Sequence, residues 1–348
     1  MWALDNRTPY AADSGWLRDP SGAEIWVVAV KATYDILPDG STRLAAQQPP
    51  VHSGPQPHPG LESLCYGTDL GPSKAATDIL LNGHAYAQDG QPVSELLVGF
   101  KVGNLSRSAR VHGDRQWQHG LLFASIGPAE PFLKMPLVYE RAFGGPEGDA
   151  PAPQHNPVGR GLVADEAGRL WLPNLESIDQ PIYRQDDRPP PVSFGPIASH
   201  WPARRRWAGT YDRHWREQRY PLPPNDLDPR HWQLAPPEQQ VAGYLRGGEE
   251  VVLINLTPPG FAVGGRLAFR LPRLTLAFQT RFEDGSRSIS RSVIHSLILE
   301  PDFPRFSVVH HMTLPCHPKV NRLDRTRISE KRRPLDPPPL PVPQEASI

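Results

Sequence analysis

LTLAFQTRFEDGSRSISRSVIHSLILEPDFPRFSVVHHMTLP, residues 274–315, is the stretch whose reading decides the fold. Valine, isoleucine, leucine and phenylalanine dominate three runs, and such residues fit a pleated, half-buried surface. The first break is Asp284-Gly285, a step that returns a hairpin. The second is PDFP at 301–304, where proline ends one run before the next begins. The text therefore reads strand, turn, strand, short turn, strand. Just upstream, EEVVLINLTPPG (249–260) and RLAFRLP (266–272) add two more strands.

The N-terminal third carries the same signature. EIWVVAVKATYDI (24–36) predicts a strand with a partly buried face, and LPDGS (37–41) predicts a hairpin return. QQPPVHSGPQPHPG (47–60) is a loop, because its prolines lack the donors of a central strand. ATDILLNGHAYA (76–87) and SELLVGFKVG (94–103) predict two further strands, and ARVHGDRQW (109–117) continues the β character. With 43 prolines and 29 glycines in 348 residues, long helices are disfavoured. The expected fold class is mainly β. Its antiparallel sheets are sandwich-like, in one or two lobes, with long ordered loops and few short helices.

Residues 128–240 show almost no periodicity, yet hold Tyr139, Phe143, Trp171, Trp201, Trp207 and Trp215. A loop this long is uncommon in a compact domain. Its rings predict a segment wrapped over a surface and pinned there. A short helix is predicted near Pro236, in APPEQQVAGYL. Residues 1–328 are expected as one large β-rich domain, or two lobes joined by 128–240. Residues 329–348, SEKRRPLDPPPLPVPQEASI, are expected as a flexible Pro-rich tail, with a docking peptide as the alternative.

Charge narrows the function. Lys plus Arg equals Asp plus Glu at 37 each, so no global field draws the chain to nucleic acid or a membrane. The first residues, MWALDNRTPYAADSG, lack the basic start and apolar run of a secretory signal, which leads to the expectation of a soluble, cytoplasmic protein. Cys65 and Cys316 allow at most one bridge.

Three constellations invite chemistry. His310-His311 with Cys316-His317 has a metal-like composition, but neighbours on a strand face opposite ways and no second spaced pair is present. No metal or cofactor is expected. GGPEG (144–148) and NPVGRG (156–161) match no nucleotide-binding loop, and turning the backbone is their simpler role. Arg204, Arg205 and Arg206 among Trp201, Trp207, Tyr211 and Trp215 suggest base stacking, but the chain is neutral and Asp212 lies nearby. The expectation is a frame in which these rings are buried and Arg206 or a neighbour pairs with Asp212 or another acid. Arg141 and Arg160, with Gly144, Gly145, Gly159 and Gly161, are expected to join the two glycine loops into one ordered feature. That feature is either purely structural or a recognition surface. No catalytic residue is assigned.

Several blocks together carry a resemblance. They are YERAFGG (139–145), NPVGRG (156–161), LPNLE (172–176), FGPI with Trp201 (194–201), AGTYDRHW (208–215) and LPPNDLDPRHWQLAPPEQQ (222–240). In this order they resemble the bacterial family called domain of unknown function 2169. The last block departs from the family's usual LPxDFD, having Asn225, Asp226, Leu227 and Asp228. The resemblance implies a non-enzymatic adaptor or chaperone of type VI secretion, with an effector and the spike protein or its PAAR-type tip as partners. A carbohydrate- or peptide-binding module and a small-molecule enzyme stand as rivals.

Overall fold

The structure, a computed structural model, describes residues 3–120, 124–146, 154–316 and 322–331. Its largest sheet runs in the order Gln240–Ala242, Ala76–Leu81, Val293–Glu300, Arg305–Cys316, Glu24–Ile36, Ala11–Arg18, with Thr42–Leu44 also on Glu24–Ile36. A second sheet runs Leu175–Glu176, Leu105–His112, Glu95–Val102, Glu250–Ile254, Arg266–Arg270. A third runs Ala3–Asn6, Leu323–Glu330, Leu276–Phe282, Arg287–Arg291. Pairing is mostly antiparallel, so the mainly β expectation holds. The exceptions include Ala76–Leu81 beside Val293–Glu300 and Ala3–Asn6 beside Leu323–Glu330, both parallel.

One apolar cluster draws on all three sheets. It contains Val28, Val30 and Leu297 of the first, Phe100 and Leu253 of the second, and Phe278 and Ile328 of the third. Phe306 stacks on Phe269 across the first two sheets with ring centroids 5.0 Å apart. Trp26 Nε1 donates to Thr326 Oγ1 at 3.0 Å, tying the first sheet to the third. Fully burying such a side chain contributes roughly 1.5–3 kcal/mol.

The 274–315 stretch is β as expected, but its three expected strands are four, because the run after Asp284-Gly285 divides at Ser292 between two sheets. Leu276–Phe282 and Arg287–Arg291 close a hairpin about Asp284-Gly285, where Gly285 has φ +85°. After Ser292 the chain leaves that sheet, and Val293–Glu300 and Arg305–Cys316 pair in the largest one.

The Glu24–Ile36 strand is more deeply set than its sequence suggested. Nine consecutive residues, Trp26 to Tyr34, are buried. Alternate side chains enter the shared cluster, while Ala29 on the other face packs with Leu80, Ile298, Val309, Leu234 and Ala235. Lys31 lies on that second face, its Nζ 3.4 Å from Asp69 Oδ2. The expected partly buried face is thus a strand covered on both sides, because the loops carrying Asp69 and Leu234 close over the sheet.

Other expectations are corrected. The 76–87 run divides into Ala76–Leu81 and His84–Tyr86, which pairs with Lys134–Pro136 instead. The break falls where Leu81 N donates to Phe194 O of the wrap and Asn82 Nδ2 to Cys65 O of the Leu64–Tyr66 strand. The helix near Pro236 is a single 3-10 turn, Pro237–Gln239, followed by a strand. Helix α1 (Pro202–Arg205) and helix α2 (Arg213–Gln218) occur earlier in the wrap. Strand Leu323–Glu330 continues past 328, and Lys331 N donates to Thr275 O at 2.9 Å. The rest of the predicted tail, 332–348, lies outside the described residues, as do His317 and residues 147–148 of the GGPEG loop. Cys65 and Cys316 are free thiols. Among the described residues no helix is long and apolar enough to cross a membrane.

Candidate functional site

One carboxylate anchors residues 233–235 of the wrap to the sheet. Asp78 is fully buried, and its Oδ2 lies 2.7 Å from Lys74 Nζ. Its two oxygens also accept from Leu234 N at 2.8 Å, Gln233 Nε2 at 2.9 Å and Ala235 N at 3.2 Å. Gln239, also fully buried, donates to Ile79 O and Phe194 O. A charge inside an apolar strand is tolerated only when paired and hydrogen-bonded in this way.

The expected union of the two glycine loops is present. Phe143-Gly144 pairs with Arg160-Gly161, and Asn156 Nδ2 donates to Tyr139 O and Phe143 O. Gly144 has φ +152°, and a Cβ there would lie 2.1 Å from Asn156 O. Gly145 N donates to the same carbonyl at 2.9 Å, and Gly145 has φ +132°. Arg141 Nη1 and Arg160 Nη1 both donate to Asp114 Oδ1, at 2.6 and 3.1 Å, joined by Asn174 Nδ2 at 2.9 Å. Burial pushes the Asp114 carboxyl up, but the Asn174 hydrogen bond and the two guanidinium groups outweigh it and hold the carboxyl below its usual range. The two arginines border a polar hollow of about 400 Å³.

Beside this hub lies a groove. Its first chamber, about 340 Å³, has Tyr139 and Trp201 among its lining rings, with ring centroids 5.2 Å apart and edge-on. Pro190 and Pro191 line it, as do Pro236 and Pro237 from the last matched block. The second chamber, about 580 Å³, shares Asn156, Pro190, Pro191 and Arg206 with the first and reaches Phe143 and Leu162.

The predicted aromatic frame divides in two. Trp201 is buried, as expected, while Trp207 and Trp215 are half-buried and Tyr211 is 56% exposed. Trp207 lies on the groove with the Arg230 guanidinium 3.4 Å and the Arg206 guanidinium 4.7 Å from its ring centroid. Tyr211, Trp215 and Tyr220 form a separate knob, with centroids 4.7 and 5.8 Å apart along the series. The predicted Arg206–Asp212 pair does not form. Asp212 instead caps α2, accepting from Trp215 N, and the neighbouring Arg204 turns inward to the carbonyls of Ile197 and His231. Burial lowers the Arg204 pKa to about 10, so this cation stays charged at neutral pH.

A family model described as an uncharacterized protein conserved in bacteria (DUF2169) matches residues 21–311. The chain belongs to the DUF2169 family. No curated protein and no solved structure matches it. The DUF2169 match spans the blocks that build the groove: YERAFGG and NPVGRG make the hub and part of the lining, and the PRHWQLAPP text supplies Arg230, Pro236 and Pro237.

Sequence reasoning missed Arg107, Pro190 and Glu238 in the lining, and Asp78 beneath the wrap. Asp78 had a signal, since an acid within ATDILL needs buried partners. Arg107 had none, because it is one of two arginines in the LSRSARVH strand and only the tertiary fold sets it beside Tyr139.

Proposed function

We propose that this DUF2169 chain is a non-enzymatic adaptor that holds a type VI secretion effector and couples it to the spike protein or its PAAR-type tip in the cytoplasm. The observation that carries the reading is the groove, where matched loops braced by buried hydrogen bonds line a cavity with proline, tryptophan and arginine. A braced groove suits recognition, because holding loops beforehand lowers the ordering cost of binding.

The test is capture of the effector and spike proteins from the producing bacterium on the immobilised chain, then reconstitution from purified components. Stable capture of a cognate effector without turnover supports the adaptor. Absence of any effector or spike component, together with turnover of a small molecule, overturns it.

A small-molecule enzyme has one specific observation in its favour. Lys74 and His295 line a cavity of about 230 Å³. Lys74 Nζ is already engaged by Asp78 and by Ser296 Oγ at 3.0 Å, and His295 Nε2 accepts from Lys74 N. These bonds suit a packed network better than a reactive pair.

A further inference from the structure

The groove is unbalanced in charge although the chain is neutral. Among the described residues its two chambers are lined by Arg107, Arg188, Arg204, Arg206 and Arg230, against the single carboxylate of Glu238. Three of these cations are already satisfied: Arg230 grips Asp228 with contacts of 2.6–3.1 Å, Arg204 donates to carbonyls, and Arg188 Nη1 donates to Gln185 O and Asp187 O. Two others are not. Arg107 Nε is buried without a hydrogen-bond partner, and the side chains of Arg107 and Arg206 form no ion pair with a described residue. The Tyr139 hydroxyl also has no described hydrogen-bond partner, and both Arg107 and Glu238 are close enough to act on it electrostatically. A buried donor left without an acceptor is costly, so Arg107 favours an arriving acceptor, and Arg206, which is exposed, has no described carboxylate to hold it back from joining.

We propose that the groove receives an extended peptide segment of the partner protein, in which Asp or Glu side chains meet Arg107 and Arg206 and flanking proline or aliphatic side chains rest on the proline walls. This rests on the adaptor reading and names the chemistry of the segment recognised. A guanidinium fork matches a carboxylate in two parallel bonds. Pro190-Pro191 and Pro236-Pro237 offer apolar surface without donors that a bound backbone would have to satisfy. Nucleic acid fits less well. The Trp207 ring already carries two guanidinium groups, and a phosphate track needs a run of free cations where the groove has two.

The test needs no known effector. A displayed library of random peptides, balanced in acidic and basic residues, is selected on the full chain. The expected winners carry Asp or Glu among proline and aliphatic residues. A fluorescent copy of a winner should bind the Arg107→Gln/Arg206→Gln variant at least roughly ten-fold more weakly, as should its amide counterpart on the wild-type chain. Neither substitution breaks a described side-chain hydrogen bond, and Arg230 stays on the Trp207 ring when Arg206 is lost, so the unfolding midpoint should shift little and separate lost recognition from lost folding. Basic or neutral winners, no enrichment, or acidic winners that bind both proteins equally would each overturn the proposal. So would a labelled single-stranded oligonucleotide that binds and is lost in the double variant. If effector capture succeeds while the library yields nothing, the groove assignment fails and the adaptor reading stands. If acidic peptides bind through the two arginines while no effector is captured, the type VI reading fails and the groove assignment stands.

Discussion

Replacing Asp78 by Asn should loosen the wrap more than any change on its exposed side. The side chain keeps its shape, but one of its two oxygens becomes an NH2 donor. If that is Oδ2, the new donor faces Lys74 Nζ and Leu234 N; if Oδ1, it faces Gln233 Nε2 and Ala235 N. Either way, at least two donors lose an acceptor and a buried ammonium loses its counter-charge. Removing one partner of a buried pair costs about 3–5 kcal/mol, and each buried donor left unsatisfied costs about 1–3 kcal/mol. Relaxation and water entry reduce the sum, so a loss of roughly 4–6 kcal/mol is expected. The loss should be local first, because the bonds broken join 233–235 to the sheet rather than the sheet to itself. Hydrogen exchange at Leu234 and Ala235 should accelerate by orders of magnitude under native conditions, with limited proteolysis opening the wrap before the sheet. Amides at 234 and 235 that exchange as in the wild type, with an unfolding free energy within about 1 kcal/mol of it, would refute the claim that this carboxylate anchors that part of the wrap.

Three further outcomes are expected. Trp201→Ala should cost roughly 3–5 kcal/mol in a denaturant titration, because the ring is 3% exposed, whereas Tyr211→Ala at 56% exposure should stay within about 1 kcal/mol. Gly144→Ala should lower the unfolding free energy by about 3 kcal/mol or more, since the left-handed φ and a Cβ 2.1 Å from Asn156 O act together; a soluble variant with an unchanged midpoint would refute the close approach. Burial lowers the pKa of both His310 and His311 to about 4, against 6.5 as the ordinary value, so the unfolded chain binds more protons between those limits. Stability should therefore fall as pH drops from about 6.5 towards 4 by on the order of 3 kcal/mol per imidazole, and a His310→Gln variant should show a shallower fall in urea midpoints across that window.

Much of the sheet structure was legible because strands announce themselves locally. The Asp284-Gly285 hairpin and the paired runs at 250–254 and 266–270 were read from residue type and turn chemistry alone. Strands Ala3–Asn6 and Leu323–Glu330 were missed, since ALDN and LDRTRISE are too polar to stand out and gain their β form by pairing, Leu323–Glu330 with Leu276–Phe282 and Ala3–Asn6 with Leu323–Glu330. The double burial of Glu24–Ile36 was also hidden, because what covers its second face comes from Asp69 and Leu234, far along the chain. In the site, the glycine loops spoke for themselves through Gly144, Gly145, Arg141 and Arg160. The arginine run misled. Its Asp212 partner was judged by proximity in sequence, whereas the start of a helix claimed that carboxylate and the Trp207 ring took Arg206.

The placement of Glu24–Ile36 against Arg305–Cys316 sets a timetable for synthesis. Asp35 meets Arg305 and Glu24 meets Cys316, so partners lie 270 to 292 residues apart. At roughly 5–20 residues per second, a ribosome takes about 15–60 s to deliver the second strand after the first. Over that interval the most apolar strand of the N-terminal third has only its nearer neighbours, Ala11–Arg18 and Thr42–Leu44, and one long edge stands open. An open edge of this composition is a template for pairing with other nascent chains. Codon changes that slow the ribosome between 45 and 305 should therefore raise aggregation without altering the finished protein, with the soluble fraction of the expressed chain as the measure.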